Sequence, residues 1–355
     1  MMIFLQRQNI DQYHIWLQWL QYLTNKSDFL WTDAYEIKKW LVNIIDSIEA
    51  DCYHYTIDRY GFWMWIKLPN GSIRQVFNHD YGINKNAVTH RVFDDKIITG
   101  KILEQNSIST PQSFLYIKEN TRYADHTNNI AHALRFCRMI WFPIILKPLD
   151  GSQWRWVKKI ENSDDLQIEL DKVNLWEIRW VNFVLQQYNA GKNIRVIYLD
   201  GKIELAYMRI PATIVGDGIH DIQTIIYQKY KDTKIEINIE SISYYLRNQW
   251  LMLSDVPHEW RIIQFVPTAN VSTWWDVAPF DFDHEDELFV SKIATLFGAR
   301  YFGLDILTHT KISQGSILEI NKMPGTTWAD IIQPNFGKKL WAKIRQIIKK
   351  DEWII

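Results

Sequence analysis

The feature of the sequence that most constrains its fold is residues 301–328, where two alternating segments flank a polar turn. The segments read Tyr-Phe-Gly-Leu-Asp-Ile-Leu and Ile-Leu-Glu-Ile-Asn-Lys-Met-Pro-Gly. A period of two predicts β-strands, and the short polar connection predicts an antiparallel hairpin. In that hairpin we expect Leu307 to pair with Ile317. The same register places Asp305 opposite Glu319, with their side chains about 5 Å apart.

This acidic pair suggests a cation site. Two carboxylates that face each other repel unless a positive charge lies between them. Asn321 follows Glu319 by two residues and therefore shares its face of the strand. Asp305, Glu319 and Asn321 together offer three hard oxygen donors, which suits Mg²⁺ held partly by the phosphates of a substrate. The alternative is an acidic hairpin face that is exposed to solvent and binds nothing.

Composition limits the classes of protein that the chain can belong to. Its 355 residues, 47% of them hydrophobic, are enough for one elaborate domain or two to three lobes. The net charge of -1 shows no basic excess, so no nucleic-acid partner is predicted. No apolar run is long enough to span a membrane. The N-terminal apolar stretch is too short for a secretory signal, so we expect a cytoplasmic protein. Cys52 and Cys137 have no metal-binding or disulfide spacing and are predicted to be buried thiols. A homo-oligomer is compatible with the sequence.

The first 88 residues predict a small α/β lobe. Helical spacing occurs at 15–22 and 34–48, and residues 61–76 read as a hairpin. No catalytic cluster is evident in this region. The lobe either helps to shape a pocket or is purely structural.

The middle of the chain carries cations on predicted elements. Lys96 lies in a helix that Asp94 or Asp95 can cap, and Lys147 ends an apolar strand just before a loop with Gly-Ser, a place suited to phosphate. Residues 181–210 predict a meander of three strands that carries Arg195 and Arg209. An arginine in a strand can bind phosphate or carboxylate through the two parallel N–H donors of its planar guanidinium group. For each of these cations alone, a solvated side chain or a surface ion pair is the commoner alternative.

The chain resembles the ATP-grasp carboxylate–amine ligases. The resemblance lies in the order of its features: the two lysines, the glycine loop, a hinge strand and then the acidic hairpin. The likeness is greatest to the ATP-grasp module of cyanophycin synthetases and to the glutathione-synthetase-type and ribosomal-protein glutamate ligases. The stretches 209–220 and 268–272 are particularly similar to the cyanophycin synthetase pattern. The resemblance covers roughly residues 89–345.

The resemblance implies an α+β fold in which two α+β lobes of an ATP-grasp domain clasp ATP, behind the N-terminal α/β lobe at 1–88. The ATP-grasp domain would span 89–350. Its lid subdomain would lie at about 125–186 and its metal-binding C-terminal lobe at about 187–350.

The resemblance also implies an activity and a set of site residues. A carboxylate of an amino acid or peptide would attack the γ-phosphate, and an amine would then displace phosphate from the acyl-phosphate. The implied cofactors are ATP and two Mg²⁺ ions, which Mn²⁺ can replace. The implied site residues are Lys96, Lys147, Gly151, Ser152, Gln186, Gln187 and Tyr188 for the nucleotide, Asp305, Glu319 and Asn321 for the metal, and Arg209 and Asn321 for the transferred phosphate.

Two departures from the family pattern concern the substrates. The hinge has Gln186 and Gln187 where many relatives have a glutamate, which affects recognition of the nucleotide. No Mur-ligase-like module follows, so we do not expect full cyanophycin synthesis.

The third departure is a surplus of tryptophan. The chain has 18 Trp and 14 Gly, about 4% glycine against about 7% in average proteins. The lid sequence Gly-Ser-Gln-Trp-Arg-Trp-Val has tryptophan where glycine would allow close approach to phosphate. Tryptophans that stand at glycine positions of the family are Trp141, Trp154, Trp156, Trp274, Trp275 and Trp328.

Three explanations of the tryptophans lead to different functions. The chain is a catalytically inactive relative that serves as a nucleotide-binding or scaffold protein, or the source reads UGA as glycine while the sequence translates it as tryptophan. We favour the second hypothesis, because random drift would scatter the tryptophans. A third alternative, an aromatic-rich carbohydrate-binding protein, fits the acidic hairpin poorly.

Overall fold

The computed structural model describes most of the chain from residue 86 onwards and short strands before it. The described residues are 3–5, 54–57, 63–67, 73–77, 83–84, 86–119, 128–149, 157–175, 182–231, 239–247, 249–266 and 275–352. The helices predicted at 15–22 and 34–48, the loop with Gly151 and Ser152, and residues 268–272 lie outside them.

Helices and strands alternate irregularly along the chain. In chain order they are β1 (Ile3–Leu5), β2 (His54–Ile57), β3 (Trp63–Lys67), β4 (Ile73–Phe77), α1 (Ala87–Asp94), α2 (Lys96–Gln105), β5 (Ser113–Ile117), α3 (Ile130–Ile140), β6 (Ile144–Pro148), β7 (Lys158–Ile160), α4 (Ser163–Leu175), β8 (Asn182–Gln187), β9 (Lys192–Leu199), β10 (Lys202–Pro211), β11 (Thr213–Val215), α5 (Ile222–Tyr230), α6 (Ile239–Arg247), β12 (Ile262–Gln264), β13 (Trp275–Pro279), α7 (His284–Phe297), β14 (Tyr301–Thr308), a 3₁₀ turn (Ile312–Gln314), β15 (Ser316–Asn321), α8 (Thr327–Ile332) and α9 (Phe336–Glu352). None of the helices in the described part of the chain combines the length and hydrophobicity needed to cross a bilayer.

The strands form antiparallel sheets, which confirms the predicted α+β class. β1 to β4 pair in sequence order, so the hairpin predicted at 61–76 is present as β3 and β4. A second sheet has the order β5-β8-β6-β7 and packs against α3 and α4. β11 and β12 form a two-stranded unit with its own core against α5 and α6. The division of the chain into lobes at 88/89 and 186/187 stays a prediction.

The central sheet has five strands in the order β13-β10-β9-β14-β15. Its apolar face packs against α1, α2 and α7 in the largest hydrophobic core of the described residues. Ile194, Val196 and Leu304 lie on that face and are fully buried. Because side chains alternate along a strand, the residues between them point to the opposite face, where the candidate site lies.

The meander predicted at 181–210 is wrong in one of its two pairings. β9 and β10 are paired, but β8 lies in the second sheet between β5 and β6. Both edges of β8 are therefore occupied, and β9 has no free edge of β8 to pair with. Gly191, with φ +150°, lies in the connection that carries the chain to the central sheet.

The C-terminal hairpin is confirmed, with a local correction. Asp305 pairs with Glu319 as predicted, but Leu307 pairs with Ser316 rather than with Ile317. A bulge next to Asp305 leaves Leu318 without a partner and shifts the pairing beyond it by one residue. The bulge breaks strict alternation in β15, because Ile317 and Ile320, three residues apart, both lie in the core.

Gly303 on β14 gives a test of packing on the site face of the central sheet. A Cβ at this position would lie 2.7 Å from Cβ of Pro324 and 3.4 Å from Nη1 of Arg195. Because that contact requires backbone movement, we expect Gly303→Ala to lower the free energy of unfolding by about 1–3 kcal/mol. Urea denaturation measures this change.

Gly100 provides the matched control. It lies within α2, and the nearest atom to an added Cβ is Thr110 Oγ1 at 3.8 Å. Gly100→Ala should therefore stabilise the protein by about 0.5–1 kcal/mol through helix propensity. Equal effects of the two alanine substitutions would contradict this account of Gly303.

Candidate active site

A row of polar side chains crosses the central sheet. Arg195 on β9 is paired with Tyr207 on β10 and with Asp305 on β14. Asp305 is paired in turn with Glu319 on β15. Paired residues on adjacent strands have their side chains on the same face of the sheet. The register therefore brings an arginine and two carboxylates together, although they are far apart in sequence.

Asp305 is held by two arginines. Its carboxylate accepts two hydrogen bonds from Arg195, one of them at 3.0 Å from Nη2 to Oδ2. Nη2 of Arg209 lies 2.9 Å from Oδ2 of the same carboxylate. Asp305 is 2% exposed, so burial alone would raise its pKa, but the charges of Arg195 and Arg209 outweigh burial and lower that pKa to about 2. The carboxylate is therefore ionised at neutral pH.

The two arginines are buried as well. Arg209 donates from Nε and Nη2 to Oδ1 of Asn193, at 2.9 and 2.6 Å. Burial lowers the pKa of Arg209, although the charge of Asp305 opposes it. For Arg195 burial would also lower the pKa, but the charge of Asp305 outweighs it and raises that pKa. Both guanidinium groups remain charged, as arginine does in proteins.

Asn321 joins the two carboxylates. Its Nδ2 lies 3.2 Å from Oε1 of Glu319 and 3.4 Å from Oδ2 of Asp305. The three predicted metal ligands therefore point to one place. No cluster of three or more His, Cys, Asp or Glu side chains with metal-binding geometry occurs in the described part of the chain. Two carboxylates and an amide oxygen fit Mg²⁺, which usually completes its shell with water and phosphate oxygens; to bind it, Asn321 would turn Oδ1 rather than Nδ2 towards the carboxylates.

Lys96 extends the site from α2. Asp95 caps this helix by accepting hydrogen bonds from the N–H groups of Ile97 and Ile98, as predicted for one of the two aspartates. Nζ of Lys96 donates to the carbonyl of Leu149 at 3.2 Å and lies 3.8 Å from Oε2 of Glu319. Lys96 thus bridges the end of β6 and the acidic hairpin.

Lys147 approaches the same place from β6. Its Nζ donates to Oε1 of Gln186 at 2.7 Å, and Nε2 of Gln186 donates to Oγ of Ser113 at 3.1 Å. The pKa of Lys147 is lowered to about 8, mainly by burial and also by the charge of Lys96, whereas the charges of Glu319 and Asp305 oppose this shift. A neutral glutamine offers Lys147 a hydrogen bond but no counter-charge, so this lysine is easily deprotonated.

The other predicted nucleotide-binding residues have different environments. Gln187 follows Gln186 along β8 and so has its side chain on the opposite face of the sheet. Tyr188 is partly exposed, with Nζ of Lys159 at 4.8 Å from its ring centre. Gly151 and Ser152 lie outside the described residues. The binding roles of all these residues stay predictions.

The sequence named Arg195 as a strand arginine able to bind phosphate or carboxylate but did not assign it to the site, and it gave no role to Asn193 or Ser113. Arg195 and Asn193 become site residues only because β9 is inserted between β10 and β14. Ser113 contributes because β5 pairs with β8, from which it is distant in sequence. Cys137, predicted to be a buried thiol, is buried in the core of the second sheet, and burial raises its pKa to about 12.

Comparison with known proteins returns ligases that are similar to this chain in sequence. The cyanophycin synthetase of Trichormus variabilis is 25% identical over 294 residues, which cover 74% of this chain and 30% of that protein. Over that span the chain is similar in sequence to this ligase. The glutathione biosynthesis bifunctional protein GshAB of Streptococcus mutans is 22% identical over 347 residues, 89% of this chain and 44% of that protein. The chain spans less than half the length of either of these curated relatives.

Among solved structures, a bifunctional glutathione synthetase from Pasteurella multocida aligns with a TM-score of 0.49 at 17% identity. The alignment covers 81% of this chain and 40% of that one. No protein-family model matches the chain. The predicted resemblance to cyanophycin synthetases and glutathione-synthetase-type ligases is confirmed by the sequence relatives.

The Asp305 cluster predicts a large effect on stability. Asp305→Asn leaves Arg195 and Arg209 buried without their shared counter-charge. We expect the free energy of unfolding to fall by about 3–5 kcal/mol, measured by urea denaturation without nucleotide. As a control, Glu161→Gln removes an exposed pair with Lys159, in which N and O are 2.9 Å apart, and should cost less than about 1 kcal/mol. A small effect of Asp305→Asn, similar to that of the control, would contradict the role of the carboxylate.

Proposed function

We propose that the chain is an ATP-dependent ligase that joins a carboxylate to an amine through an acyl-phosphate, releasing ADP and phosphate. The observation that carries the proposal is the convergence of lysines from α2 and β6 on the acidic hairpin of the central sheet. Its sequence relatives, the cyanophycin and glutathione ligases, support the same reaction type.

The charges of the site suit a nucleoside triphosphate. Lys96, Lys147, Arg195 and Arg209 bring four positive charges, and Asp305 and Glu319 bring two negative charges. The cluster therefore has an excess of two positive charges, which favours a polyanion. A triphosphate carries more negative charge than this excess, and bound Mg²⁺ would balance the remainder.

Each residue has a specific part in this proposal. Lys147 and Lys96 bind phosphate oxygens, and Gln186 fixes the ammonium group of Lys147. Asp305, Glu319 and Asn321 hold Mg²⁺, which would neutralise charge on the transferred phosphate. Arg195 and Arg209 keep Asp305 ionised and oriented, and the proposal gives Arg209 a second role in binding that phosphate. Phosphoryl transfer requires little beyond such positioning and neutralisation.

The substrates are proposed by class. The named relatives are a cyanophycin synthetase and a glutathione biosynthesis protein, and the resemblance to carboxylate–amine ligases implies that the product contains an amide bond. We therefore propose an amino acid or a peptide as the acyl donor and an amine as the acceptor. Two Mg²⁺ ions and replacement by Mn²⁺ belong to the same proposal.

Phosphate release from ATP and Mg²⁺, screened over pairs of amino acids and dipeptides, tests the activity. We expect release that depends on both a carboxylate and an amine. Because Lys147 would stabilise charge on the phosphates, Lys147→Met should lower kcat/KM by about 10²–10³-fold. Lys172→Met, on the surface of α4, is the matched control and should leave kcat/KM unchanged.

The same screen is run on the Trp154→Gly/Trp156→Gly double variant, because both tryptophans stand in the predicted lid. Phosphate release in either form supports a ligase. Absence of release in both forms, together with retained ATP binding, would instead indicate an inactive nucleotide-binding relative.

The pKa of Lys147 predicts how ATP binding depends on pH. Below about pH 8 the ammonium group is charged and attracts phosphate, and above that pH the charge is lost. We expect the affinity for MgATP to fall several-fold between pH 7.5 and 9.5, measured by calorimetry. Lys147→Arg should remove this dependence, because arginine stays charged.

Gln186→Glu sharpens this test. A carboxylate 2.7 Å from Nζ would raise the pKa of Lys147, so the fall in affinity should begin at higher pH. An unchanged pH profile in both variants would show that another group is responsible for it.

A further inference from the structure

Three exposed tryptophans have a backbone conformation that L-amino acids avoid. Within the described ranges, the non-glycine residues with positive φ include Trp141 at 64°, Trp250 at 58° and Trp260 at 66°. Their exposed fractions are 80%, 96% and 78%. Left-handed backbone is unfavourable for a residue with a Cβ and is common only for glycine. Because these side chains are in solvent, no burial of the indole offsets the strain.

Trp250 occupies the glycine position of a helix-ending motif. After α6, the N–H of Leu251 donates to the carbonyl of Leu246 at 2.9 Å, and the N–H of Trp250 donates to that of Arg247 at 3.0 Å. These two bonds define a Schellman motif, in which the left-handed residue is usually glycine. Leu246 and Leu251 are both buried in the small core, which is the apolar contact that accompanies the motif.

The end of α7 shows the same motif with glycine in place. The N–H of Ala299 donates to the carbonyl of Ala294 at 2.9 Å, and that of Gly298 donates to Thr295 at 3.2 Å. Gly298 has φ 59°, within a degree of the 58° of Trp250. The chain thus uses glycine and tryptophan at equivalent positions of one motif.

Trp260 occupies the third position of a tight turn. The N–H of Arg261 donates to the carbonyl of His258 at 3.1 Å, so the turn consists of residues 258–261. A positive φ at its third position is the requirement that selects glycine in a type II turn. The N–H of Trp260 also donates to the carbonyl of Gly216 at 2.9 Å, which fixes the turn against the neighbouring segment.

Trp141 is the most strained of the three. It caps the C-terminus of α3 with φ 64° and ψ 152°. This combination lies at the edge of a region of backbone space that is essentially restricted to glycine. Only Phe142 and Pro143 separate Trp141 from β6, so its conformation helps to set the direction in which the chain leaves the helix.

A binding surface does not explain these tryptophans. Stacking on a sugar or on a partner requires an exposed ring, but it does not require a left-handed backbone. Trp341, by contrast, lies within α9, is 7% exposed and contributes to the core. The strain is therefore a property of particular positions and not of tryptophan in this protein generally.

We propose that positions 141, 250 and 260 carry glycine in the native polypeptide, because their codons are UGA and the source translates UGA as glycine. The backbone at all three positions is the one that glycine favours. Position 341 is tryptophan in the native chain, because its ring fills part of the core. The proposal concerns the identity of residues and is independent of the proposed activity.

Peptide sequencing by mass spectrometry of protein from its native source tests the proposal directly. We expect glycine at 141, 250 and 260 and tryptophan at 341. Tryptophan at any of the first three positions would overturn the proposal. Reading the codons gives the same decision, since UGG at 141, 250 or 260 is incompatible with it.

Stability measurements test the structural part. In a recombinant chain with tryptophan at all these positions, Trp250→Gly should lower the unfolding equilibrium constant roughly 5- to 30-fold in urea denaturation. Trp250→Ala removes the same ring but keeps a Cβ, so it should increase the stability of the fold less than Trp250→Gly does. Trp341→Gly should destabilise the protein. If Trp250→Gly gains no more than Trp250→Ala, or destabilises the chain, the backbone argument is wrong.

Discussion

The structure of the site depends on one buried carboxylate. Asp305 lies between Arg195 and Arg209, and all three groups are almost removed from solvent. Burying these charges separately would be very costly, so the three groups must meet with good geometry. A slip of one residue between β9 and β14 would turn Asp305 towards the apolar core. The ion cluster therefore fixes the register of the central sheet at the position where Glu319 and Asn321 are presented.

The cations of the site divide into two kinds. Arg195 and Arg209 are bound to Asp305 and stay charged at any pH that the protein tolerates, so their first role is structural. Lys147 has a neutral partner in Gln186, and its pKa is near 8. A lysine without a counter-charge is available to a ligand, whereas a lysine paired with glutamate would have to exchange partners. Gln186, at the predicted hinge, thus leaves Lys147 without a directly bonded carboxylate.

Local sequence patterns predicted what depends on neighbours in sequence. The hairpin, the pairing of Asp305 with Glu319 and the cap of α2 by Asp95 all follow from spacing. The bulge beside Asp305 did not follow from spacing, because strict alternation places Leu318 and Ile320 on one face, whereas in the structure Ile317 and Ile320 both lie in the core. Arg195 and Ser113 were missed as site residues for another reason: their roles arise from strand order, which joins segments about 70 to 110 residues apart. The pairing of β8 was wrong because a short loop favours a hairpin, whereas here it connects two sheets.

Two independent criteria select tryptophans that stand in place of glycine. Resemblance to the ligases selects Trp141, Trp275 and Trp328 among the described residues, and backbone conformation selects Trp141, Trp250 and Trp260. Trp275 lies in β13 and Trp328 in α8, where a residue with a Cβ is not strained. Backbone conformation therefore does not distinguish glycine from tryptophan at these two positions. The criteria agree at Trp141, where the strain is greatest. Sequence resemblance indicates which residue related proteins have at a position, whereas a left-handed φ indicates which residue the backbone of this chain tolerates. If the codon is reassigned, both criteria should indicate glycine at the same position.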